Sequence, residues 1–141
     1  MRTQKPPIKP RLGVNTLVKQ LKSHLNERTK LLDEVRMGVE PREIRSRIAN
    51  HESKLLDIAS TLHEHADLIT WMKKQKKKTI YTKKDSELLH SMADQLMDYH
   101  ERDMQCLFKV REFHPFDFDR MITENYENRR RLNGQIERRL R

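Results

Sequence analysis

The sequence predicts an all-α protein, an elongated antiparallel coiled-coil hairpin extended to a three- or four-helix bundle. Three observations carry this. Apolar residues recur at alternating steps of four and three, the repeat that keeps one stripe of a helix facing a partner. Good helix formers (Leu, Met, Lys, Arg, Glu, Gln) dominate, with three glycines in 141 residues and five prolines that lie outside the periodic segments. No alternating β-branched run of useful length appears. Charged residues make up 36% of the chain and hydrophobic ones 35%. So much surface for so little core suits long helices better than a compact globule.

Residues 1–12, MRTQKPPIKPRL, hold three prolines and four basic residues with little to bury, and read as a disordered or extended tail. The Pro7-to-Pro10 spacing is that of a PxxP ligand, but its flanks fit such ligands poorly. Residues 13–141 read as a single helical domain, with helices at about 14–37, 41–75, 84–113 and 118–140.

The first stripe runs Val14, Val18, Leu21, Leu25, Arg28, Leu32, Val35. Gly38 ends it, GVEP turns the chain, and Pro41 fits the first turn of the next helix, where its missing N–H costs nothing. The second stripe runs Ile44, Ile48, His51, Leu55, Ile58, Leu62, His65, Ile69, Met72. Folding the two back at residues 39–40 pairs positions whose numbers sum to 79 or 80. Arg28, the charged residue of the first stripe, then falls opposite His51. A polar layer inside an apolar seam sets register at a cost in stability, so Arg28 and His51 are expected to form that layer.

The third stripe is Leu89, Met92, Leu96, Tyr99, Asp103, Cys106, Val110, Phe113, broadened by Met97, Met104 and Leu107. Thr82 or Asp85 is the expected cap at its start, and His114–Pro115 its end. Phe113, Phe116 and Phe118 read as an aromatic plug at one end of the bundle. The last segment has a thin stripe, Ile122, Leu132, Ile136 and Leu140, with Asn133–Gly134 as an expected break. It is therefore expected to pack loosely or to be completed by a partner helix.

WMKKQKKKTIYTKKD, residues 71–85, separates the second and third stripes. No Gly or Pro lies between 42 and 113, so one continuous rod is conceivable, but the stripes are one residue out of phase across this segment. TIYT is also β-branched and aromatic. A connection near 76–84 is expected.

The positive excess is concentrated. The formal charge is +9. Residues 73–84 carry +7, the tail 1–12 carries +4, and six arginines lie from Arg129 onward; residues 85–114 carry −4. An up-down-up-down topology brings the tail, the lysine connection and the arginine-rich terminus to one end. The expected contact residues for an acidic partner are Lys73, Lys74, Lys76, Lys77, Lys78, Lys83, Lys84, Arg129, Arg130, Arg131, Arg138 and Arg139.

Catalytic and metal patterns are missing from the sequence. His63 and His65 are two apart, on different sides of a helix. His51 and His65 share a face about 21 Å apart at 1.5 Å per residue. They are expected to be tolerated seam residues, compatible with facing each other across a homodimer. No Glu-x-x-His pair is repeated on facing helices, as carboxylate di-metal bundles use, and there is no glycine-rich phosphate loop, G-x-S-x-G or CxxC. Cys106 sits on an apolar stripe as an inert thiol. No cofactor and no metal are expected.

No secretory signal pattern and no apolar run near the roughly 20 residues of a membrane span are seen. The expectation is a soluble intracellular protein, cytoplasmic or nuclear. The expected function is a non-enzymatic helical interaction or scaffold protein. It would be a small coiled-coil subunit of a larger assembly, docking through its basic pole on an acidic surface (a cytoskeletal polymer, an acidic tail, an anionic membrane). The alternative is a nucleic-acid-binding protein that contacts phosphates without sequence readout.

Overall fold

The computed structural model describes residue 7 and residues 9–140; most of the expected tail, residues 1–6 and 8, lies outside them. Four helices follow one another: α1 (Val14–Arg36), α2 (Arg45–Lys74), α3 (Lys83–Phe108) and α4 (Pro115–Leu140). Each packs against its neighbours in sequence, and α4 closes the ring on α1. The result is an up-down-up-down four-helix bundle in which α1 stands diagonal to α3.

The ends of α1 and α2 have the same construction. At α1, Gly38 takes φ 103°, its N–H donates to Val35 O and the Val39 N–H donates to Glu34 O. This pair of bonds satisfies carbonyls that the helix end would leave bare, and the left-handed position suits glycine. At α2, Lys76 takes φ 53°, and the N–H groups of Lys76 and Lys77 donate to Lys73 O and Met72 O. A lysine thus occupies a position that favours glycine. The connection follows over residues 75–82, where the loss of phase between the stripes had put it.

Thr82 and Asp85 act together at the start of α3. The Asp85 N–H donates to Thr82 Oγ1 at 3.2 Å and the Thr82 N–H to Asp85 Oδ2 at 2.7 Å, a reciprocal capping box. Between Gly38 and α2, a 3₁₀ turn from Pro41 to Ile44 precedes the α-helix.

The third and fourth helices differ from expectation. α3 stops at Phe108 rather than at 113, and a 3₁₀ turn, Val110–Glu112, leads to α4. Pro115 starts the next helix instead of merely ending the last, because proline at the first helical position loses no hydrogen bond. Val110 and Phe113 therefore sit outside α3 yet still pack on its core. Of the three phenylalanines, Phe118 is buried and Phe113 half-buried, but Phe116 is 79% exposed: it stacks on His114 rather than plugging the bundle. Asn133–Gly134 does not break α4, since the Asn133 side chain donates to Leu21 O of α1 and the helix runs on to Leu140. α4 packs on α1 and α3 of its own chain.

The interior is divided. One apolar cluster holds Leu17, Leu21, Leu55, Ile58, Leu62, Leu89, Leu96, Leu132 and Ile136. The other holds Leu31, Leu32, Val35, Ile44, Ile48, Leu107, Phe118 and Ile122. Burying each such side chain contributes about 1.5–3 kcal/mol. Between these clusters every helix places buried polar residues: His24 and Arg28 on α1, His51 on α2, His100 and Asp103 on α3, Asn125 and Arg129 on α4.

Candidate functional site

Two features carry the unusual chemistry: that buried layer, and the basic end above it. In the layer Asp103 is the hub. Arg28 grips it with two parallel bonds, Nε to Oδ2 at 2.6 Å and Nη2 to Oδ1 at 2.7 Å. Arg129 Nη1 donates to Oδ2 at 2.6 Å and Asn125 Nδ2 to Oδ1 at 2.5 Å. Burial would raise the Asp103 carboxyl; the bonds from Arg28 and the charges of Arg28 and Arg129 outweigh it and hold the group below its ordinary value. Arg28 also donates to Ile122 O at 3.0 Å. Three helices therefore meet on one carboxylate.

The histidines complete the layer. His24 donates from Nε2 to His51 O at 3.2 Å and accepts at Nδ1 from Arg129 Nη2 at 2.8 Å. Those two bonds describe a neutral ring. His24 stacks on His51, with centroids 3.7 Å apart and planes 12° from parallel. His100 lies 5.8 Å from His51 and meets Glu52 at 3.1 Å. Burial, then the neighbouring His51 and Arg129, lowers His24 to about 2. Burial, then Arg129 and His100, lowers His51 to about 3. A cleft of 280 Å³ lined by Ser23, Glu27, Lys54 and Asp57 reaches both rings.

Arg28 and His51 do lie in one buried polar layer, but they do not pair. Arg28 reaches across the bundle to Asp103, and His24, one turn earlier, takes the place beside His51. Nor can His51 and His65 face each other across a dimer: His51 is buried against His24, and His65 bonds Leu12 O at 3.1 Å. Arg129, expected among the surface contacts, is 2% exposed and committed to Asp103. Sequence reasoning missed His24, His100, Asn125 and Arg129. A signal existed: steps of three and four from Ile122 land on Asn125, Arg129 and Leu132, filling the gap in the thin fourth stripe.

The basic end is held together by one tyrosine bond, two ion pairs and an apolar contact. The Tyr81 hydroxyl donates to Leu140 O at 2.8 Å, tying the lysine connection to the end of α4. Arg139 pairs with Asp85 at 2.9 Å. Leu12 and Val14 pack on the same apolar cluster as Tyr81 and Leu140. Arg11 reaches Glu64 on α2 at 3.0 Å. Lys73, Lys74, Lys76, Lys77, Lys78, Lys83 and Lys84 are all exposed, as are Arg130, Arg131, Arg138 and Arg139. Lys77 Nζ lies over one face of the half-buried Trp71 ring at 4.4 Å.

Among the described residues no group of three or more His, Cys, Asp or Glu side chains is arranged to hold a metal ion. No helix there is long and apolar enough to cross a membrane. Burial raises the Cys106 thiol above its ordinary value, which disfavours the reactive thiolate. No family model matches the chain, and no curated protein or solved structure is significantly similar to it. Function has to be read from the side chains themselves.

Proposed function

We propose that the protein is a non-enzymatic helical scaffold, a small coiled-coil subunit of a larger assembly that docks on an acidic protein surface through its basic end. The observation that carries the reading is the tie between Tyr81 and Leu140. It holds seven exposed lysines of residues 73–84 beside the arginine-rich last turns of α4. A field concentrated this way steers acidic partners and weakens with salt.

Lys76 supports the same reading. Its left-handed backbone costs on the order of 1–2 kcal/mol that glycine would not incur. Strain held at a charged, exposed position is the kind that accompanies a contact surface. The covered face of Trp71 speaks against a stacking platform for bases, so docking on a nucleic acid would rest on phosphate contacts alone.

Fluorescence anisotropy with labelled polyglutamate and with unrelated DNA and RNA, at about 50 and about 200 mM salt, tests the proposal. Salt-sensitive binding of polyglutamate that is lost when Lys73, Lys74 and Lys76–Lys78 become Gln is the expected result. Tight binding of DNA or RNA with none of polyglutamate would transfer the function to nucleic acid. Binding of neither at the lower salt would remove the basic end as a docking site.

A further inference from the structure

A second histidine cluster lies on the outside of the bundle, away from both the buried layer and the basic end. α2 and α3 each carry the pattern His-x-x-x-Asp, His63 with Asp67 and His90 with Asp94. Residues four apart share a helix face. The two helices are antiparallel, so the patterns meet head to tail. His63 Nε2 lies 3.6 Å from Asp94 Oδ1, and His90 Nε2 lies 3.3 Å from Asp67 Oδ1. Each ring turns one nitrogen to a carboxylate of the opposite helix. The other two nitrogens face each other, Nδ1 to Nδ1, at 2.6 Å.

An imidazole whose Nε2–H is turned to a carboxylate presents a lone pair at Nδ1. Two rings in that tautomer put lone pair against lone pair, an arrangement that a cation between them holds together. A borderline transition ion fits the same donors, because imidazole nitrogens are preferred ligands of Zn²⁺. A carboxylate on the far N–H is the usual support of a ligating histidine; it fixes the ring and raises its basicity. Two Zn–N bonds of tetrahedral geometry separate the nitrogens by about 3.3 Å, so the rings need to part by less than 1 Å.

We propose that His63 and His90 form a two-imidazole clip for zinc or a similar divalent transition ion, joining α2 to α3. The clip uses two protein nitrogens, which distinguishes it from the closed three- and four-ligand sites of structural zinc. Its remaining positions go to water, since Asp67 and Asp94, whose side chains are 60% and 75% accessible, stand at the far Nε2 edges of the rings. The ion is therefore exchangeable, and its effect is to tighten the pair of helices that leads into the lysine connection.

The test is a titration of the full chain with zinc chloride in a non-chelating buffer, followed by calorimetry and by thermal unfolding. One saturable site per chain and a rise in melting temperature are expected. Both disappear in His63→Gln and in His90→Gln and persist in His65→Gln and His114→Gln. Asp94→Asn weakens binding about tenfold or more. Ring resonances in the unaltered chain give a reading that does not depend on the variants: zinc shifts those of His63 and His90. No saturable binding, binding that survives both His63→Gln and His90→Gln, or shifts confined to other histidines overturns the proposal.

Discussion

His24 and His51 stack face to face in the middle of the bundle, 3.7 Å between ring centroids, and both are held neutral. Arg28 faces them from α1, Glu52 lies at the edge of the layer on α2, His100 and Asp103 contribute from α3 and Arg129 from α4. In the unfolded chain the two rings titrate near 6.5; in the folded one, near 2 and 3. The unfolded state thus binds more protons across that interval. The stability these rings contribute is present above 6.5 and is lost as pH falls below it. The slope approaches about 2.7 kcal/mol per pH unit while two protons are being taken up. Urea unfolding at pH 7.5, 5.5 and 4.5 is expected to follow this fall. Replacing His24 with Phe and His51 with Leu should flatten it.

Asp103 balances two buried guanidinium groups. Asp103→Ala leaves both without their carboxylate, and the expected loss is about 3–5 kcal/mol, read as a fall in urea midpoint. Replacing Arg28, Asp103 and Arg129 together with Met, Leu and Met removes the charges instead of stranding them. That triple variant is expected to be markedly more stable than Asp103→Ala.

Phe116 and Phe118 are two residues apart and opposite in consequence. Phe118→Ala empties a site in the second apolar cluster, at an expected cost of about 3–5 kcal/mol. Phe116→Ser changes an exposed ring and should stay within about 0.5 kcal/mol of the parent chain. Thermal unfolding of the two variants side by side checks the contrast.

Lys76→Gly relieves a left-handed lysine and is expected to stabilise the chain by about 0.5–1 kcal/mol. The same variant removes one charge of the basic end, so polyglutamate binding should weaken as stability rises. A glycine that raised both would separate the strain from docking.

The phase of the apolar stripes revealed the helices, and the one-residue slip between Met72 and Leu89 revealed the connection, because both are local properties of a 3.5-residue repeat. Arg28 and His51 stood out as polar exceptions, yet their partners did not. Arg28 finds Asp103 at a separation of 75 residues, and nothing local records which carboxylate a buried guanidinium reaches. Arg129 looked like surface charge because its neighbours Arg130 and Arg131 are surface charge; one residue of helical rotation turns it inward. The capping of α3 was legible as two alternatives, whereas the structure uses both residues at once. The His63–His90 pair was hidden for a related reason: each half is an ordinary helical spacing, and only the antiparallel packing of α2 on α3 brings the halves together.

The layer between the two apolar clusters has a mechanical consequence. Apolar side chains slide and repack by small steps, but a carboxylate held by four directional bonds keeps its geometry or loses it. A disturbance at the lysine end is therefore expected to reach the second cluster less readily through α1, α3 and α4, which that hub joins, than a purely apolar core would allow. The molecule behaves as two short springs joined by a rigid plate. Slow amide exchange should fall into two groups of unequal protection, one on each side of the plate.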